Sequence, residues 1–413
     1  MHLTEEEQAM LAGAQGPAVR KAMEIVIALA EVYGAQSLVP IVSAQVAGVS
    51  YKNLGDAGLE FLEEWANQGA RVRVPTFMNP AGMDLERWPE MGISPEFARQ
   101  QQRITHALTT MGVALTCTCT PYLVGYAPQA NDHLAWSESS AVSFANSILA
   151  ARSNREGGPS ALAAAITGRT AAYGLHLSEN RHATHIIEVH CPLYNEADYG
   201  ALGYLVGLLV GDGVPYFRFL AKSQSLKGAG FPPLQEHWMA LGAAMAASGA
   251  VALYHIEGVT PEASHAMPLH RKLPLIPIAN LADGYAALDS SLDEIDFVSL
   301  GCPHSTLADI ERAAAFLEGK RVKATLWITT SRAVRELAEQ RGLVAIVEAA
   351  GGKVFSDTCL VVAPIEEMGF KAMATNSAKA AFYSPMHSKL PRRFGSLEQC
   401  LQAALTGRWE GLR

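Results

Sequence analysis

Apolar residues recur with a helical period in some stretches of the chain and form short continuous runs in others, and the two kinds of stretch alternate. Ala22, Val26 and Ala30 step four residues at a time through Ala18–Tyr33, marking one face of a helix. Thr4, followed by Glu7 three residues later, is a capping-box pattern and predicts a shorter helix ahead of it that stops at Gly13. Ser37–Val42 reads as a strand, and Pro40, which has no N–H to give, puts that strand at an edge. Asp56 opens a helix carrying Leu59, Phe61, Leu62 and Trp65, and Arg71–Pro75 follows as a strand. The same alternation predicts helix Phe97–Met111 into strand Val113–Cys119, and helix Pro233–Ser248 into strand Ala250–Ile256. Further on, strand Ile295–Leu300 leads into helix Thr306–Leu317, and strand Val322–Thr329 into helix Ser331–Arg341. Alternation of this kind predicts an α/β fold with mostly parallel sheets. Periodicity breaks near 192–198, and again across 258–277 where four prolines fall, so two or three subdomains are expected.

Composition narrows the class. At 49% hydrophobic and 17% charged, the 413 residues can build a large core and do not read as disordered. The net charge of −8 comes without a Lys/Arg-rich run, which argues against a nucleic-acid partner. No uninterrupted apolar run reaches the length of a membrane span, because Gly242, Ser248 and Gly249 break the longest candidate. MHLTEEEQAM lacks the basic flank and apolar run of a secretion signal, and six cysteines are too few for a disulfide framework. A reduced, cytoplasmic protein is expected.

Three of those cysteines sit beside strand ends. Cys119 closes an apolar run before Thr-Pro-Tyr, Cys302 closes another before Pro303-His304, and Cys359 precedes the run Leu360–Ala363. In open parallel sheets, ligands bind beyond the carboxyl ends of strands. Thiolates arriving from separate loops suit a soft metal or an iron–sulfur cluster, although a free cysteine also serves as a small core residue. Cys191 and Cys400 have no chemical surroundings and read as structural.

The stretch Trp136–Pro159 is the densest in polar residues. As a helix it places Ser139, Ser143 and Asn146 on one face. Arg152 and Arg155, flanking Asn154 ahead of Gly157-Gly158, have the geometry to clamp a carboxylate or phosphate, and they suit a helix C-terminus equally well. Ser43–Gly48 and Asn79–Asp84 could form ligand-facing loops or plain turns, and Lys379 is a candidate base or anion contact. His176 and His304 are candidate donors behind a ligand shell. The absence of G-x-S-x-G, Walker, HExxH and GxGxxG motifs removes the common hydrolase, kinase and dehydrogenase readings.

Thr116-Cys-Thr-Cys-Thr-Pro-Tyr122, Ala135–Ser147 and Asn154-Arg-Glu-Gly-Gly-Pro159, with Leu3–Gly48, Asn79–Asp84, Gly301-Cys-Pro and Ser356-Asp-Thr-Cys359, resemble the aconitase X family in order and over the whole chain. The resemblance implies an aconitase-like core of packed α/β/α subdomains and a hydro-lyase. It implies Cys119, Cys302 and Cys359 as ligands of mononuclear iron or of an iron–sulfur cluster smaller than the ordinary four-iron one, since the CxxC pair of ordinary aconitases is missing. It also implies a separately encoded small swivel-domain subunit that closes the active site. Dehydration of cis-3-hydroxy-L-proline to Δ1-pyrroline-2-carboxylate is the first expectation. The alternatives are dehydration of mevalonate 5-phosphate and a non-catalytic iron–sulfur binding or regulatory subunit. Substrate contacts are expected from Ser43, Asn79, Asn146, Arg152, Asn154 and Arg155, and catalytic roles from Glu138, Ser139 and Lys379.

Overall fold

The computed structural model describes residues 1–220, 235–268 and 272–410. Three parallel sheets carry the chain. The first orders strands Thr76–Met78, Ser43–Val46 and Leu134–Trp136, with Ser43–Val46 in the middle. The second orders His255–Ile256, Pro215–Phe219, His185–Val189 and Leu275–Ile278. The third orders Lys353–Ser356, Thr325–Thr330, Phe297–Leu300, Met373–Thr375 and Arg392–Phe394. The α/β class with mostly parallel sheets is therefore observed. Segment 192–198 falls in a connection of the second sheet, and the described part of 258–277 runs from a connection into its strand Leu275–Ile278.

Local sequence explains most elements. Thr4 and Glu7 form the capping box of helix Glu5–Leu11, and Thr306 with Asp309 forms another at helix Leu307–Leu317. Leu38–Pro40 is an edge pair with Arg169–Ala171, as Pro40 requires. Helix Tyr51–Asn67 starts five residues before Asp56, but Gly55 at φ 58° breaks it, so Asp56 does open its regular part. Helix Gln235–Ser248 matches its expected end, while its expected start at Pro233 lies outside the described residues.

Several strand boundaries differ from expectation. Pairing falls on Thr76–Met78 instead of Arg71–Pro75, because only the later residues face a partner strand. Ala250–Ile256 pairs only at His255–Ile256, after Ala250 turns at φ 63°. Val113–Cys119 makes a single bridge, Ala114 to Phe77, and Cys117 at φ 41° turns the chain out of the extended conformation. Alternation therefore does not decide where Cys117 and Cys119 point.

The first and third sheets each have a buried cluster, another spans the first and second sheets, and a fourth joins the first to the third. In it Met83, Met91, Ile93 and Phe97 pack with Phe297, Trp327, Phe355 and Leu360. Hydrogen bonds hold the same seam. Ser50 Oγ donates to Val362 O at 2.7 Å, Ala81 N to Asp357 O at 2.7 Å, and Ser356 N to the buried Asp84 carboxylate at 2.9 Å.

Gly301 lies at φ 99°, and a Cβ there would come within 2.1 Å of Thr329 O. Gly301→Ala should destabilise the protein by about 3 kcal/mol through left-handed strain and overpacking, read as a lower denaturant midpoint. An unchanged midpoint would contradict this account.

Candidate active site

Carboxyl ends of the first and third sheets approach each other, and the loops beyond them carry the cysteines. Leu300 leads through Gly301 to Cys302, Ser356 through Asp357 and Thr358 to Cys359, and Trp136 through Ser137 to Glu138. Cys119 arrives from the loop that bridges Thr76–Met78. Thr375 leads through Asn376 to Ser377, which caps the helix bearing Lys379.

Glu138 and Lys379 form an ion pair with side chains 7% and 10% exposed. Glu138 caps helix Ser139–Ser147, accepting Ala141 N–H at 2.7 Å and Ser140 O–H at 2.6 Å. Burial pushes its pKa up, but the charge and hydrogen bond of Lys379, with those two donors, hold it below the usual carboxylate value. Burial would deprotonate Lys379, and the Glu138 charge reverses that, keeping the ammonium protonated far into the alkaline range. At neutral pH both groups are charged, and each is the other's buried counter-ion. Ser139 Oγ and Ser140 Oγ lie 3.3 and 3.4 Å from Lys379 Nζ.

The thiols share this surrounding. Burial raises the Cys302 pKa to about 12 and raises those of Cys119 and Cys359. Each also feels Glu138 and Lys379, and Cys359 acts on both other cysteines. His304 N donates to Cys119 Sγ at 3.2 Å. The His304 ring is 1% exposed, and burial drops its pKa to about 4, leaving it neutral. Its two nitrogens lie 3.0 Å from Thr118 Oγ1 and 2.9 Å from Thr358 O.

Only part of the expected site is assembled here. Glu138, Ser139, Lys379, Cys119, Cys302 and Cys359 are brought together. Asn79 lies just beyond Thr76–Met78, its Oδ1 buried without a partner. Ser43 is not in a loop. It begins the central strand, roughly 10 Å from the carboxyl edge at 3.3 Å per residue, and accepts the Trp136 indole N–H at 3.1 Å. Asn146 is fully buried and spends its amide on Ser153 N, Ser153 O and Ala252 O. Asn154 bonds Tyr173 O and Leu175 N, Arg152 bonds Asn131 and His176 O, and the exposed Arg155 reaches Ala246 O. These four side chains brace backbone rather than face the thiols, because backbone polar groups with no ladder partner claim them first. Thr118, Ser140 and Ser377, whose hydroxyl donates to Cys302 O, belong to the site and were not singled out. The Ser377-x-x-Ala380 cap was the available signal for the last. Cys117 belongs to the first hydrophobic cluster and Cys400 to the third, and Cys191 is half-buried.

The donor set fits an iron–sulfur cluster better than a single ion. Three soft sulfurs lie on neighbouring loops, Cys359 close enough to act on the other two, and the Glu138 carboxylate beside them is committed to Lys379. Among the described residues no three His, Cys, Asp or Glu side chains lie close enough to surround one metal ion. Buried hydroxyls of Tyr122 and Thr358 border the thiols without a protein partner.

Parallel α/β subdomains with thiol-bearing loops around a buried ion pair match the aconitase-like class that the sequence resemblance implies. Comparison with known proteins gives the same class. Residues 1–179, 183–278 and 295–406 match the first, second and third aconitase X domains. The chain belongs to the aconitase X family. It is 47% identical to the phosphomevalonate dehydratase large subunit of Methanocaldococcus jannaschii, over 97% of this chain and 100% of that one. It is 37% identical to the cis-3-hydroxy-L-proline dehydratase of Pseudomonas aeruginosa, over 97% of this chain and 70% of that one. The crystal structure of Thermococcus kodakaraensis aconitase X in its holo-form superposes with a TM-score of 0.88 at 46% identity, covering 98% of this chain and 100% of that one. No helix among the described residues is long and apolar enough to cross a membrane.

Lys379→Met should cost about 3–5 kcal/mol, because it strands a buried carboxylate. Adding Glu138→Gln in the same chain should recover part of that loss, and denaturant unfolding of both variants checks the coupling. A second expectation concerns pH. Burial, with help from His133 and the Arg181 and Arg152 charges, drops the His176 pKa to about 3. The unfolded chain then binds a proton that the native state refuses once pH falls below about 6.5. Stability should therefore fall between pH 6.5 and 4, by on the order of 3 kcal/mol from this residue. His176→Gln should flatten that slope in unfolding curves taken at pH 7 and 4.5.

Proposed function

We propose that this chain is the large subunit of a two-chain, iron–sulfur-dependent phosphomevalonate dehydratase. The observation that carries the substrate is the graded likeness. Identity is 47% along the full length of a phosphomevalonate dehydratase large subunit, against 37% to a hydroxyproline dehydratase of which this chain spans 70%. The first expectation, cis-3-hydroxy-L-proline, thus becomes the second reading. The name "large subunit" carried by the first relative supports a separate small partner, the swivel-domain subunit that the sequence resemblance implied.

Dehydrating a 3-hydroxy acid means taking a weakly acidic proton next to the carboxylate and expelling hydroxide from the neighbouring carbon. A cluster held by Cys119, Cys302 and Cys359 would supply a Lewis-acidic iron for the leaving hydroxyl. The chain's own residues then have distinct tasks. Lys379 opposes, without cancelling, the rise in thiol pKa that burial imposes at Cys302, Cys359 and Cys119, which eases the loss of their protons on metal binding. Glu138 fixes the ammonium and the start of helix Ser139–Ser147, accepting the Ser140 O–H and leaving the Ser139 hydroxyl, which accepts from Lys379, free to donate to an anionic substrate. Glu138 is tied up by Lys379, Ser140 and the Ala141 N–H, which makes it a poor proton acceptor, and the reading therefore assigns the proton-abstracting base to the small subunit. Bringing that base to the bound substrate is a proximity effect worth several kcal/mol.

The test is turnover by the reconstituted two-chain complex on mevalonate 5-phosphate and on cis-3-hydroxy-L-proline. We expect kcat/KM at least about tenfold higher on the phosphate ester, a difference of about 1.4 kcal/mol in transition-state binding. Preference for hydroxyproline would reverse the assignment, and turnover of neither would end it. Full activity of the large chain alone would put the base within it. Cys302→Ser and Cys359→Ser should abolish bound iron while leaving a folded chain, and Cys191→Ser and Cys400→Ser should leave iron content intact.

A further inference from the structure

A directed run of buried hydrogen bonds passes behind the thiols and crosses from the first sheet to the third. Gln45, on the central strand of the first sheet, donates Nε2–H to Thr118 O at 3.1 Å. Thr118 Oγ1 lies 3.0 Å from His304 Nδ1, and His304 Nε2 lies 2.9 Å from Thr358 O. A carbonyl can only accept, so Nε2 carries the ring proton and Nδ1 accepts from the Thr118 hydroxyl. Thr118 Oγ1 in turn accepts Thr120 N–H at 3.1 Å, which fixes the direction of the whole run. Gln45, Thr118, Thr120, His304 and Thr358 are each no more than 1% exposed, so water offers none of these groups a substitute partner.

Each contact falls beside a cysteine. Thr118 immediately precedes Cys119, Thr358 immediately precedes Cys359, and His304 is two residues beyond Cys302. The backbone N–H of His304 completes the arrangement by donating to Cys119 Sγ at 3.2 Å. One side chain thus touches all three thiol-bearing loops. Its bonds run along the strand-end loops, which have no ladder partners of their own to hold their spacing.

We propose that His304 is a positioning residue that sets the mutual placement of Cys119, Cys302 and Cys359 before any iron is bound, so that the cluster meets a preformed cradle. The part concerning the cluster rests on the iron–sulfur reading of the site. The part concerning thiol placement does not. His304 touches no substrate in this account and acts only through the ligands and their loops. Partners behind metal ligands commonly change metal affinity ten- to hundredfold when removed, by letting the ligands wander.

Two variants test it. His304→Leu keeps the bulk and deletes both ring bonds, and His304→Gln keeps an N–H donor and an acceptor on a side chain of similar reach. In the iron-free large chain, His304→Leu should raise the iodoacetamide alkylation rates of Cys119 and Cys359 together. It should also speed amide exchange in segments 116–120 and 356–361 by about tenfold or more, the mark of local opening. His304→Gln should recover much of that protection. After anaerobic reconstitution, His304→Leu should lose iron to a chelator about ten to a hundred times faster than wild type. Its visible and electron-paramagnetic spectra per iron should also change, and His304→Gln should restore them toward wild type. Unchanged exchange and alkylation in either segment overturns the proposal, whatever the iron content. So does a cluster with wild-type spectrum and release rate in His304→Leu. If wild type takes up no iron, the cluster reading fails, while loosened thiol loops in His304→Leu still support the positioning role. Should His304→Leu not fold, Thr118→Val, which deletes only the Nδ1 bond, is read by the same measurements.

Discussion

A buried charge must be paired, and the site is organised around one such pair, Glu138 with Lys379. The two residues come from opposite parts of the chain. Glu138 follows the last strand of the first sheet, and Lys379 lies in the first turn of the helix after strand Met373–Thr375. Neither charge is tolerable alone at this depth, so the pair holds the first and third units in one relation. It also supplies the electrostatic condition the cysteines need. Three thiols in an apolar setting resist ionisation, and an ammonium held among them works against that resistance.

The remaining contacts between these units serve the same end. The apolar seam of Met83, Phe97, Phe297, Trp327 and Phe355 supplies the burial that brings the two carboxyl edges together. It has no directional preference, so it cannot by itself set a position to a few tenths of an ångström. Hydrogen bonds do that. Asp84 to the Ser356 backbone, Ser50 to Val362 O, and His304 to Thr118 and Thr358 pin loop against loop. Gly301 allows strand Phe297–Leu300 to end against Thr329 O without a side chain intervening, which delivers Cys302 into the same volume.

The groups around the thiols share one feature. Three of them are held by their neighbours: Glu138 and Lys379 by each other, and His304 by two hydrogen bonds. Locked groups position and stabilise well, but they exchange protons poorly near neutral pH.

Much of the fold was legible from the sequence, because it is set by local rules. The capping boxes at Thr4 and Thr306, the edge proline at position 40 and the helix–strand alternation each act within a few residues and lead to the observed α/β class. The three cysteines at loop positions were legible for the same reason, since a strand end is a local feature. Asn146, Arg152, Asn154 and Arg155 were not, because a residue type that can bind a ligand can equally satisfy a backbone carbonyl. Which carbonyls lie in reach, such as Ala252 O or Ala246 O, depends on segments about a hundred residues away. The course of Val113–Cys119 was misread for a related reason: its apolar pattern suits a strand, but pairing needs a neighbour, and only Ala114 finds one. By itself the sequence determined most of the elements and the class, consequences of short-range periodicity and side-chain chemistry. The tertiary structure alone decided that Lys379 meets Glu138 and that His304 meets Thr118 and Thr358, because contacts across 241, 186 and 54 residues depend on how sheets pack and leave no local trace.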